Sequence, residues 1–295
     1  MVMNPLLALT ALHLHGRTGD PTLPLAVSRY LGRSLADHRA ALQRHSDNDN
    51  DNDNDHDNKK DVLAEPVWLS AVLLSVLYWL LAHQRRPGEP YELPLPAWAM
   101  LHGVTTLYVR RRAVLGAMGY EWYGHRYAPL RIEDDDDDGD DGQVLSEKSR
   151  CRLDMLQNDL EILFARFGIS DDADEQDEEQ VAYQAARRHI VSYYRAYFAG
   201  MDERNLRLVI CTMPVNVPPA FRRLLDRHDP LAMALVARLL VLLVPVESVW
   251  WMDGEGDYEV LHRDINGIRQ LMPDELRWCM DWPCRVLSGE ILLDR

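Results

Sequence analysis

Three acidic tracts decide which parts of this 295-residue chain are able to share a core. Ser46 to Asp61 is close to pure Asp–Asn alternation, Glu133 to Asp141 is nearly all aspartate, and Asp171 to Glu179 is the third. Such segments bury no apolar surface and their like charges repel. Residues 46–61 and 133–143 are therefore expected to be disordered insertions between helices. The third tract suits the first turn of a helix, where negative charge is favourable. With the tracts set aside, the remainder is more apolar than the whole-chain figure of 47% indicates.

That remainder repeats at helical spacing. Asn4-Pro5 caps and starts a helix through Leu6, Leu7, Leu9, Leu12 and Leu14. Leu25 to Gln43 follows with Tyr30, Leu31, Leu35 and Leu42 at a period near 3.6, which predicts a helical hairpin. Val62 to His83, Trp98 to Met118, Arg152 to Phe167 and Gln180 to Ala199 continue the pattern. Arg85 to Pro96 reads as a Pro/Gly-rich connector carrying Tyr91, and Gly119 to Pro129 as an aromatic, irregular stretch. Asp229-Pro230-Leu231 opens a leucine-rich helix to about Val244, and a further helix spans roughly Tyr258 to Leu271. No segment longer than a few residues alternates as a strand does. The expected class is all-α, a multi-helix domain over 1–295, although the length also admits two smaller domains.

Charge limits the partners. There are 47 acidic side chains against 32 Lys plus Arg, a formal charge of -15, and the basic clusters are short and scattered. That balance argues against gripping a phosphate backbone with this polypeptide alone. The cysteines, Cys151, Cys211, Cys279 and Cys284, are widely spaced and expected to be reduced. Val67 to Ala82 and Leu231 to Val246 are apolar runs at or below the lower edge for a membrane-spanning helix, and both are read as buried core.

No G-x-S-x-G, G-x-G-x-x-G, phosphate-binding glycine loop or H-E-x-x-H motif occurs in the sequence. Placing Gly139 at the required glycine of a calcium loop puts Asp134, Asp136 and Asp138 in order, but leaves Leu145 where a bidentate glutamate is needed. Gly254-Glu255-Gly256 follows no strand, and Cys279 with Cys284 does not form half of a zinc site. His228 and Asp229 are read as a helix cap beside an exposed histidine. The expectation is regulation or recognition, with no enzyme activity, no metal and no cofactor.

Four of the eight tryptophans, Trp250, Trp251, Trp278 and Trp282, bracket the Tyr258 helix and its ends. Together with Leu235, Leu239 and Leu242 they are either plain core or the lining of a pocket for an apolar ligand.

These same residues carry a resemblance. Asp229-Pro230-Leu231-Ala232, the apolar helix, Trp250-Trp251, the step at Gly254 to Gly256, the helix through Ile265, and Trp278 with Trp282-Pro283 resemble the C-terminal part of fungal zinc-cluster transcription factors of the sterol uptake control type. Asn4 to Leu14, then Tyr30, His38, Ala41 and Leu42, and Tyr91 to Trp98 are similar to earlier segments of that family. The resemblance implies a nuclear or shuttling regulatory domain of an RNA polymerase II transcription factor, with a sterol or other lipid as ligand. It implies contacts with transcription machinery or chaperones, a homodimer, and DNA binding only through a separate six-cysteine zinc module. The alternative is a stand-alone lipid-binding or protein-interaction module.

Overall fold

The computed structural model describes residues 1–48, 57–83, 90–120, 145–169, 177–203, 205–206, 210, 213, 216–245 and 259–295. All regular secondary structure among them is helical, so the chain is all-α. It divides into two compact units, one of Met1–Arg85 with Pro94–His125, the other of Arg86–Leu93 with Arg126–Arg295.

The first unit is built from α1 (Met3–Thr18), α2 (Leu23–Asn48), α3 (Asp57–His83), α4 (Leu95–Arg110) and the short α5 (Arg112–Leu115). Helix α1 ends where Gly19 takes a left-handed conformation at φ 66 and donates its N–H to the His15 carbonyl at 2.8 Å. Asp20 then accepts from the Thr22 N–H at 2.8 Å and hydroxyl at 2.7 Å, turning the chain into α2. Those bonds hold the Asp20 carboxyl below the usual carboxylate range. The α1–α2 hairpin expected from spacing is present, and both helices also pack on α3. Helices α2 and α3 reach Asn48 and Asp57, so both ends of the Asp–Asn tract are helical, and residues 49–56 lie outside the described ones.

The expected Trp98–Met118 helix is interrupted. Arg111, at φ -120 and ψ 22, ends α4, and a π turn over Gly116–Tyr120 follows α5, with Gly119 at φ 91. The physical reason lies across the unit. Tyr108 donates to the Tyr120 carbonyl at 3.1 Å, and Tyr120 donates to Glu65 Oε1 at 2.6 Å. The Trp68 ring lies 4.9 Å from Tyr120 and 6.1 Å from Tyr108. This aromatic joint holds the turn against α3, overriding a local helical preference that sequence spacing reports. Helix α3 runs through Pro66, and its stretch Ala64–Ala82 is long and apolar enough to cross a membrane, with half of it buried inside the unit.

The second unit contains α6 (Glu147–Phe167), α7 (Glu178–Phe198), α8 (Pro219–Asp226), α9 (Pro230–Leu240), α10 (Glu259–Leu271) and α11 (Asp281–Leu287). A 3-10 turn over Val241–Leu243 extends α9, and another over Asp274–Met280 precedes α11. Capping follows the sequence closely. Ser146 accepts from Ser149 N–H at 3.0 Å, and Asp177 accepts from Glu179 and Gln180. Glu178 and Glu179 sit in the first turn of α7, as read from the third acidic tract, and pair with Arg223 of α8 and with Arg227 at its C-cap. At the far end of α6, Gly168 turns left-handed at φ 69 and Ile169 N–H returns to the Phe164 carbonyl at 3.0 Å.

The last residues form a strap on this unit. Ile291 and Leu293 are buried, and Tyr197 of α7 donates its hydroxyl to the Leu293 carbonyl at 2.8 Å. Asp294 pairs with Lys148 and, at 3.3 Å, with Arg152 of α6, and Arg295 lies 4.4 Å over the Tyr197 ring. The strap therefore depends more on the buried hydroxyl than on the exposed ion pairs, which stabilise little. Tyr197→Phe is expected to cost about 1 kcal/mol and to speed amide exchange at Leu293 more than within α7. Exchange at Leu293 as slow as in the parent protein would show that packing alone holds the strap.

Candidate functional site

The centre of the second unit is α9. Asp229 is its N-cap, accepting from Ala232 N–H at 2.9 Å, and Pro230 occupies the first turn, where a missing N–H is harmless. The residue before the cap, His228, is exposed and left-handed at φ 56, so Asp229 and His228 act as the cap and exposed histidine read from sequence. Every residue from Leu231 to Leu243 is buried. Helices with no wet face occur where neighbours surround them, and α9 packs against α7, α8, α10, α11 and the 3-10 turn before α11.

Among these thirteen buried residues one is charged, Arg238, at 1% exposure. Its Nε donates to Asp159 Oδ2 of α6 at 2.7 Å. Its Nη1 donates to the Ala234 carbonyl at 3.0 Å and to the Cys279 carbonyl at 2.9 Å. Its own backbone carbonyl accepts from the Tyr194 hydroxyl of α7 at 2.9 Å. One arginine thereby ties α6, α7, α9 and the turn before α11. A buried guanidinium is tolerated only when its donors meet acceptors and its charge meets a counter-charge. The Asp159 side chain is 25% exposed, so this pair is closed on the arginine side and partly wet on the carboxylate side.

Burial shapes the surrounding acidities. It pushes the Tyr194 phenol above its usual range and the Cys279 thiol up to about 11, and raises Cys284. Both thiols stay protonated at neutral pH and are weak nucleophiles. Burial also holds His189 below the usual imidazole range, with Nε2 3.2 Å from the Asn216 carbonyl. Among the described residues no group of three or more His, Cys, Asp or Glu is arranged to hold a metal ion.

The residues proposed from sequence fall in different settings. Leu235, Leu239 and Leu242 are at 0%, 2% and 0% exposure on one face of α9 and its 3-10 extension. Trp282, on α11, is buried, and its indole faces the Tyr194 hydroxyl without reaching hydrogen-bonding geometry. Trp278 is half-buried at the surface, where Arg166 stands 4.5 Å over its ring and Phe167 lies 6.0 Å away. Trp250 and Trp251 lie outside the described residues. Sequence reasoning missed Asp159, Tyr194 and the role of Arg238. The signal in the sequence is Arg238, the lone charged residue of the apolar run Leu231 to Val246.

Fold and site together define an all-α protein whose second unit is assembled around a buried arginine-centred joint. No family model, no curated protein and no solved structure matches this chain.

Proposed function

We propose that this chain is the regulatory domain of a fungal zinc-cluster-type transcription factor acting with RNA polymerase II, and that it senses a sterol or other lipid beside α9. The observation that carries the reading is the coincidence of the family-like segment with the innermost part of the second unit. Asp229-Pro230 caps the helix, and Leu235, Leu239 and Leu242 are fully withdrawn from water. The buried Trp282 N–H stands next to the Tyr194 hydroxyl and meets no acceptor in hydrogen-bonding geometry. A ligand with one hydroxyl on a large apolar body matches that chemistry, because a buried donor without a good acceptor gains most from meeting one. DNA contact belongs to a separate six-cysteine module, and the nucleus is the proposed place of action.

Titrating the protein with a panel of sterols and fatty acids tests the lipid reading. A saturable rise in melting temperature is expected with a ligand bearing one hydroxyl, reduced at least tenfold in apparent affinity by Trp282→Phe and abolished by Leu239→Trp. No shift with any member of the panel would remove the lipid reading. The regulatory reading is tested by tethering the chain to a heterologous DNA-binding module. Reporter output that ignores sterol supply, with a tagged protein outside the nucleus in both conditions, would remove it.

A further inference from the structure

The chain entering α8 is fastened to α7 at an imidazole. His189, at 5% exposure, lies on the buried face of α7 with Tyr193 one turn further on, their ring centroids 5.9 Å apart. Asn216, just ahead of Pro219 where α8 begins, meets both. Its backbone carbonyl is 3.2 Å from His189 Nε2, and its side-chain amide donates to the Tyr193 hydroxyl at 3.4 Å. Met213 and Val217, on either side of it in sequence, are buried. A carbonyl only accepts, so Nε2 carries the proton and Nδ1 is left as a bare lone pair. Nδ1 is closed off from water and meets no partner among the described residues.

No counter-charge stands ready for a second proton. Helices α6, α8 and α9 pack on α7, and none of their charged side chains acts on the ring. Their acids are engaged elsewhere: Glu161 with Arg187, Asp159 with Arg238, and Asp229 with the start of its own helix. Glu178 and Glu179 of α7 pair with Arg223 and Arg227, and Asp294 of the strap pairs with Lys148 and Arg152. Among the described residues the one charged group acting on His189 is the exposed Arg188, of the same sign as an imidazolium. A second proton would therefore bury an N–H without an acceptor and a cation without a counter-ion, and each is costly alone. Turning the ring out to water removes both costs and gives up the Asn216 carbonyl. We propose that His189 is an acid-operated latch, holding Asn216 and Val217 against α7 while neutral and releasing them when protonated. Histidine suits such a device because modest changes of setting move its charge across the range near pH 6. The latch stands on the geometry of α7 and the segment before α8 and does not need the lipid reading. Linkage fixes its direction. Burial holds the closed-state ring below the ordinary 6.5, and the open, hydrated ring returns to that value. The contribution of the latch is whole above pH 6.5 and is lost as pH falls from there through the closed-state value.

Hydrogen exchange of the Val217 amide, bonded to the Met213 carbonyl at 3.2 Å, reads the opening in the full chain. His38 is also buried with an unpartnered Nδ1, so whole-chain melting would mix two histidines where a local amide does not. With the intrinsic exchange rate corrected for, Val217 protection should hold down to pH 6.5. Below that it should fall by up to about tenfold per pH unit, the limit for one proton. Protection at Leu160 of α6 should not follow. In His189→Gln, whose amide can donate to the same carbonyl without titrating, Val217 protection should change less than about twofold over that range. Ring titration of the parent protein by NMR, which needs no variant to fold, should place the His189 midpoint below 6.5. A midpoint at or above 6.5 overturns the latch. So does Val217 protection that stays flat in the parent, falls equally in His189→Gln, or falls no more than at Leu160.

Discussion

Asp159→Ala is expected to destabilise the full chain by about 3 kcal/mol in urea unfolding followed by tryptophan fluorescence, more than Arg238→Met. The asymmetry follows from burial. Removing the carboxylate leaves a guanidinium at 1% exposure with two carbonyls but no counter-charge, and water has little access to it. Removing the arginine leaves a carboxylate whose side chain is 25% exposed, which water re-solvates in part. The remaining cost of Arg238→Met is the unpaired Cys279 carbonyl, on the order of 1–2 kcal/mol. The pair Asp159→Leu/Arg238→Met should recover most of the loss, because a buried ion pair replaced by apolar groups of similar volume is often neutral. The signature is thus a double variant more stable than the Asp159→Ala single. If Asp159→Ala unfolds within about 0.5 kcal/mol of the parent, as a surface substitution would, the joint does not organise the second unit.

Local rules written in short segments were legible in the sequence. Asp229-Pro230 marks a helix start through backbone chemistry that involves only its neighbours, whereas α6 begins at Glu147 behind Ser146, ahead of the Arg152 start that spacing predicts. Period alone predicts a core face of Leu153, Leu156, Leu160, Leu163, Phe164 and Phe167 on α6, and all but the half-buried Phe167 are buried. The break at Arg111 was not legible, since Tyr120 meets Glu65 fifty-five positions away and nothing near Arg111 records it. The candidate site divides the same way. Leucines at helical spacing announce burial, and Leu235, Leu239 and Leu242 are buried. Tryptophans announce only size, so Trp282 and Trp278 read alike in sequence yet one is buried and the other lies under Arg166 at the surface. Asp159 looked like any polar residue of an amphipathic helix until α9 supplied its partner.

Gly267 offers a second large effect whose sign depends on one distant residue. It is buried in the middle of α10, where glycine ordinarily costs about 1 kcal/mol relative to alanine. The cost is accepted because Tyr91, from the Arg86–Leu93 segment of the same unit, lies flat against it. A Cβ on Gly267 would fall well inside contact distance of Tyr91 Cγ, Cδ1 and Cδ2. Those are the root atoms of the ring, so relief requires moving the whole side chain rather than its tip. Gly267→Val is therefore expected to destabilise by about 2–3 kcal/mol through overpacking, and Gly267→Ala by somewhat less. In a Tyr91→Ala background the obstacle is gone and only helix propensity remains. There Gly267→Ala should stabilise by about 0.5–1 kcal/mol, reversing sign. The coupling between the two positions, read from a double-mutant cycle, should exceed 1 kcal/mol. Equal effects of Gly267→Ala in both backgrounds would mean that the ring yields freely, and that Tyr91 does not fasten its segment to α10.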